Sequence, residues 1–195
     1  MRRKSFDTLT SAAALVVAAV LLSASALLFW AHSFVSDNVR TQLSAQQIFF
    51  PPAGSKALND PAVRPYLTQY AGQQMLSGEQ ARAYADHFIA VHLREGSGGQ
   101  TYAQLSSKAQ AAPTDTVLAG KVATAFKGET LRGLLLNAYA FDTMAKVALA
   151  AFWISLGSGL MVLALAVLGL HHARRTGYDV AMHVPGWHPE STPAV

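Results

Sequence analysis

Apolar residues crowd into two uninterrupted runs, Ser11–Val35 and Val147–Leu170, and between them recur at helical intervals in a polar background. A helix rises about 1.5 Å per residue, so about twenty residues cross the roughly 30 Å hydrocarbon layer of a bilayer. Each run is long enough. His32, near one end of the first run, is the sole ionisable side chain in either. The pattern predicts two transmembrane helices, at 11–35 and 147–170. It leaves a short segment 1–10, a central domain 36–146 and a tail 171–195.

Inside the central domain every signal is helical. Residues from Asp37 to Phe50 carry apolar side chains at Val39, Leu43 and Ile48, and extend the first apolar helix until Pro51-Pro52, which no helix interior accommodates. Asn59-Asp60-Pro61 reads as a helix start, with Asp60 as cap and Pro61 in the first helical position, leading through Tyr66 and Tyr70. Ser77 followed by Gln80 has the form of a capping box, in which side chain and backbone satisfy each other reciprocally. After it, Ala81, Tyr84, Ala85, Phe88, Val91 and His92 are expected on one face, with Arg82 and Asp86 paired at i,i+4. Gly96-Ser97-Gly98-Gly99 ends that helix. Thr101 and Gln104 form a second box, opening a helix with Tyr102, Leu105 and Ala109 inward and Pro113 as its stop. Thr114 or Asp115 starts another, with Leu118, Val122, Ala125 and Phe126 as its stripe. Gly128 is expected to interrupt it briefly, before a strongly helical stretch runs into the second span. No period-two strand is apparent.

The expected fold is therefore all-α: two transmembrane helices extended outward and capped by a small extracytoplasmic helical domain. A domain of this size can bury a core. The tail, with Pro185, Pro189 and Pro193, is too short and proline-rich for a domain and is expected to be disordered.

Charge sets the expected topology. Arg2, Arg3 and Lys4 precede the first span, and Arg174 and Arg175 follow the second. Cytoplasmic flanks are rich in Lys and Arg, whereas long loops cross largely regardless of charge. Both termini read as cytoplasmic, in a multi-pass protein of the cell membrane. Phe29, Trp30, Phe34, Phe152 and Trp153 fall at the outer ends, where amphipathic rings favour the headgroup level. Ala24-Ser25-Ala26 resembles a signal-cleavage site, but Leu27–Trp30 carry the apolar run past it, so the span is expected to be retained. Cysteine is absent, which removes disulfides from the outer domain, and the net charge of +4 lies mostly at the termini. No nucleic-acid partner is implied.

Candidate chemistry is sparse. His171, His172, His183 and His188 fall within eighteen residues but match no compact ligand pattern, so no metal or cofactor is expected. His87 and His92 point in different directions on the best outer helix. His92 is expected to be a buried, hydrogen-bonded core residue, and His87, beside Asp86, lacks a nucleophile. Phe49-Phe50-Pro51-Pro52 is expected to close the stalk beneath the cap, with partner docking as the alternative. Phe49, Phe50, Tyr84, His87 and His92 are the candidates for partner or ligand contact. Mid-span ionisable groups are missing, which argues against transport. Lys146 is positioned to pair with Asp142. Ala19 with Ser23, and Ser155 with Gly159, are small pairs expected to join the two spans of one chain rather than to make a homo-oligomer.

The run Phe126–Ala140, with Tyr84–Ile89 and Gln47–Pro52, resembles a family of uncharacterised actinobacterial two-span membrane proteins. The resemblance implies the same architecture and no particular activity. Some members bear a ring-opening dioxygenase label, which is read as a misassignment because no iron site of histidines and a carboxylate is recognisable here. The expected role is a non-enzymatic accessory or interaction module, with the lipid bilayer and another membrane protein or complex as partners. The alternative is an extracytoplasmic ligand sensor. It resembles the input half of chemoreceptors, but its tail of about twenty-five residues is too short for an output domain, so it would signal through a separate protein.

Overall fold

The computed structural model describes residues 3–175. Every element among them is helical; the one β feature is an isolated antiparallel bridge between Phe49 and Gln74. In order these are α1 (Arg3–Ala45), α2 (Lys56–Asn59), α3 (Arg64–Leu67, extended by a 3-10 turn at Thr68–Tyr70), α4 (Gly78–Tyr84), a π turn at Ala85–Ile89, α5 (Ala90–Ser97), α6 (Tyr102–Ala111) and α7 (Thr116–Arg175). Two of them, α1 and the 60-residue α7, are long and apolar enough to cross a membrane. The chain divides into two compact units, residues 1–28 with 150–195, and residues 29–149.

In the first unit, small side chains sit at every seventh position of the facing surfaces. Ser11, Ala18 and Ser25 of α1 are buried, as are Gly159, Ala166 and Ala173 of α7. A seven-residue repeat keeps one seam of each helix turned toward its partner, and small residues let the backbones approach. Ser155 Oγ donates to the Leu21 carbonyl at 2.8 Å, and a Cβ on Gly159 would lie 3.0 Å from Leu22 Cδ2. The expected pair Ser155 and Gly159 thus meets the first apolar helix of the same chain. Ala19 and Ser23 do not: both face outward, because the seam follows Ala18 and Ser25. α1 passes through Ala24-Ser25-Ala26 unbroken.

In the second unit the core gathers Val39 and Leu43 of α1, Leu135 of α7, and Phe50, Leu58, Val63, Leu67, Met75, Ala81, Ala85 and Ile89 from the segments between. His32 Nδ1 donates to the Ala145 carbonyl at 2.9 Å, which fixes the proton on that nitrogen. α1 ends at Ala45, five residues before its expected limit at Phe50. Gln47 takes a left-handed φ of 51°, and the following backbone pairs as extended chain: Met75 N–H donates to Ile48 O and Phe50 N–H to Gln73 O, each at 2.9 Å.

Asp60 caps a turn rather than a helix, since its Oδ1 accepts from Ala62 N at 2.7 Å while α3 begins four residues on, with Pro65 harmlessly in its first turn. Both capping boxes form with all their bonds, at Ser77/Gln80 and Thr101/Gln104. Asp115 Oδ1 caps α7 by accepting from Leu118 N at 2.9 Å. Gly98, in the left-handed region at φ 63°, closes α5. Gly128 does not interrupt α7: a Cβ there would fall on the Leu93 side chain, so the glycine makes room for α5. The tail beyond Arg175, with His183 and His188, lies outside the described residues.

Gly78, buried at the start of α4, has Asp142 Cβ and the Tyr139 backbone where its own Cβ would stand. Gly78→Ala is expected to cost roughly 1–3 kcal/mol through overpacking against a backbone that cannot step aside. Gly133 lies mid-helix with open space around it, so Gly133→Ala is expected to add about 0.5–1 kcal/mol. Thermal unfolding in detergent checks the opposite signs; equal shifts would refute the packing of α4 on α7.

Candidate functional site

The π turn decides how the candidate residues are presented. Ser77 Oγ accepts from Gln80 N at 3.3 Å and Gln80 Oε1 accepts from Ser77 N at 3.2 Å, which starts α4 at a defined residue. At Ala85–Ile89 the helix takes one wide turn, absorbing an extra residue. The fully buried line then runs through Ala81, Ala85 and Ile89, four apart, while Tyr84 and Phe88 pack half-buried against the core beside it and His92 is exposed. Those aromatic residues turn to the side and line up: Phe50 meets Tyr84 edge-on at 5.5 Å, Tyr84 stacks on Phe88 at 4.6 Å, and Phe88 meets His92 at 4.4 Å.

His92 is therefore exposed, not the buried core residue its spacing suggested. Its Nδ1 donates to the Phe88 carbonyl at 2.8 Å, one turn back in its own helix. His87 lies flat on Tyr66, with centroids 3.5 Å apart and planes 5° from parallel. Phe49 and Phe50 part company because neighbouring side chains of extended backbone point to opposite faces. Phe50 is 2% exposed and plugs the core between Tyr70 and Tyr84; Phe49 is 58% exposed. Burial raises the Tyr84 phenol above its ordinary range.

A groove of about 440 Å³ runs beside Tyr84, Phe88 and His92, walled on α7 by Thr124, Lys127 and Leu131. Lys127, unremarked in the sequence, brings a cation to this aromatic wall. No local signal marks it, because Lys127 joins the site only through the packing of α5 on α7. A second groove, of about 430 Å³, runs between α1 and α7 past Asn38, Gln42 and Asn137, with Phe34 and Phe141 at its edges. The spacing of its α1 residues, four apart, was visible, but their common wall with α7 was not.

Two ionic clusters fasten α4 and the π turn to α7. Asp86 receives Arg132 Nη2 at 3.0 Å and lies 3.6 Å from Arg82 Nε, the expected i,i+4 partner. Arg82 Nη1 in turn donates to Tyr139 Oη at 2.9 Å. Lys146 Nζ donates to Glu79 Oε1 at 2.7 Å and stands 3.2 Å from Asp142 Oδ2, an ionic approach without the alignment of a hydrogen bond. The Glu79 hydrogen bond, aided by Asp142 and opposed by partial burial, raises the Lys146 ammonium above its ordinary range. The Lys146–Glu79 pair is exposed and contributes little to stability, whereas the Arg132–Asp86 pair is part-buried.

Among the described residues no three His, Asp or Glu side chains gather as a metal site would require. His171 and His172 stand near the end of α7, and their expected companions are not described. No family model matches the chain, and no curated protein or solved structure is significantly similar to it.

Folding favours the protonated form of both Lys146 and Tyr84. The folded chain thus binds more protons than the unfolded one at alkaline pH, and stability falls as pH rises past their ordinary values of 10.5 and 10.0. The melting temperature is expected to decline above about pH 10, and Lys146→Gln with Tyr84→Phe to flatten that decline. An unchanged alkaline slope in the double variant would refute both assignments.

Proposed function

We propose that this chain is a two-span integral membrane protein that works without catalysis, as an accessory or interaction module presenting the domain 36–146 outside the cell membrane. One observation carries the membrane part. The most apolar windows of α1 and α7 are only 11% buried, whereas the core helix of a water-soluble protein would be mostly buried. A bilayer is the solvent in which such faces are at rest. The basic residues Arg2, Arg3, Lys4, Arg174 and Arg175 support cytoplasmic termini.

The module part is supported by a domain whose centre is filled while its surface keeps large apolar side chains. Phe50, Leu67 and Met75 are sealed inside, but Phe49 and Phe126 stand in the open. Phe49, on extended backbone outside the core, is the candidate contact point. A ligand-sensing role draws on the groove beside Tyr84 and Lys127, and is the second reading.

Single cysteines can be placed freely because the chain has none. In intact cells, a membrane-impermeant maleimide is expected to label Thr114→Cys at once and Ser5→Cys only after permeabilisation. The protein is expected to resist carbonate extraction. Equal labelling of the two, or release by carbonate, would overturn the topology. For the module, native-membrane purification is expected to retain a stoichiometric companion that Phe49→Glu loses; a wild-type protein that emerges alone would favour the ligand-sensing reading.

A further inference from the structure

In the second unit the groove of about 430 Å³ between α1 and α7 has an apolar floor and open rims. On the floor Val39 and Leu43 are buried, Val35 and Ala138 half-buried. The rims are exposed, with Asn38, Gln42 and Gln46 along α1, and Leu134 and Asn137 on α7. Phe34 and Phe141 stand at one end, 57% and 55% exposed. That end is the one nearest the two apolar runs: Phe34 lies in the last turn of the first, and Phe141 comes six residues before the second begins at Val147. Trp30, stacked on Phe34 at 5.6 Å, and Met144 carry the exposed apolar surface on from this mouth.

Size and chemistry together select the occupant. From Phe34 to Gln46 the α1 rim is about 18 Å long, at about 1.5 Å per residue. One leaflet makes up half of the roughly 30 Å hydrocarbon layer, so a lipid chain spans about 15 Å. At about 30 Å³ for a group the size of a water molecule, the groove has room for about fourteen such groups. Length and volume both fit a single hydrocarbon chain. None of the eleven lining residues is ionisable, so a chain enters without dehydrating a charge, and a charged ligand finds no counter-charge. A standard protein interface takes about 20–30 residues a side, and the groove supplies eleven. Water on the apolar floor is unfavourable. A chain that moves there from the leaflet stays in apolar surroundings and displaces that water, so the exchange is favourable. Carboxamides donate and accept without charge, which suits the ester and hydroxyl oxygens at the polar end of a lipid.

We infer that the groove holds one hydrocarbon chain of a lipid from the outer leaflet. The chain enters between Phe34 and Phe141 and lies on the floor, and the polar end of the lipid meets the carboxamide rims. The inference goes beyond the module reading and rests on the two-span one, which places a leaflet at the mouth.

The test uses the full chain reconstituted in vesicles of phosphatidylcholine and phosphatidylglycerol, with a small share of phosphatidylcholine carrying a diazirine midway along one chain. After illumination, mass spectrometry maps the adducts. They are expected on the two spans and, above them, on residues 38–46 and 134–138, but not on residues 102–127 of the same domain. Ala138→Trp fills the floor, and Leu134→Glu sets a charge on the rim. Each is expected to lower the groove adducts several-fold and to leave the span adducts unchanged. Arg40→Glu, outside the groove, is expected to leave both unchanged. Should Ala138→Trp unfold the unit, Leu134→Glu decides alone, since that residue is 57% exposed. Labelled spans beside an unlabelled groove overturn the inference and leave the groove to a protein partner. Groove adducts undiminished by Leu134→Glu, or lowered as much by Arg40→Glu, overturn it as well. Spans without adducts overturn the two-span reading, and the source of the lipid falls with it.

Discussion

The short segments of the second unit exist because three residues of the long helices, Val39, Leu43 and Leu135, give them something to fold against. A helix of four to eight residues cannot stand alone in water, since nucleation costs more than its few hydrogen bonds return. α2, α3, α4 and α5 are all in that range. α2, α3 and α4 persist by placing Leu58, Leu67 and Ala81 into one cluster with Phe50, and α5 continues the π turn that adds Ile89 to it. With no cysteine in the chain, that burial and the two long helices hold the unit without disulfides.

Close approach then matters more than charge. Gly78 lets the start of α4 rest on the backbone of α7 at Tyr139, and Gly128 admits Leu93. The ionic groups lie around these contacts and point them: Arg82 and Arg132 on Asp86, Lys146 on Glu79. The exposure of Lys146 and Glu79 keeps their contribution small. What the ionic groups add is orientation of a turn whose wide π geometry would otherwise be free to slip.

That turn links architecture to surface. Across it Ile89 lies in the core, Tyr84 and Phe88 pack half-buried at its edge and His92 is exposed, the three rings lining a groove. The groove between α1 and α7 is different in kind, uncharged and mainly apolar, with four amide side chains on its walls. The two faces contrast in chemistry, one aromatic with a cation beside it and one without charge.

The sequence by itself determined the helical class, the two long apolar helices, both capping boxes and the Gly98 stop. Those depend on spacing and on residues within one turn of each other. Tertiary structure alone decided which apolar side chains were covered. Ala18 and Ser25 line the seam while Ala19 and Ser23 do not, a difference of one or two positions set by the partner helix. Phe49 and Phe50 look alike as sequence and end on opposite faces, because the chain leaves α1 early through a left-handed Gln47 and pairs as extended backbone. Gly128 reads as a break and serves as a notch, and His92 reads as core and is exposed. For the seam and for Gly128 the deciding contact joins residues far apart in the chain, and local periodicity carries no information about where such a neighbour will stand.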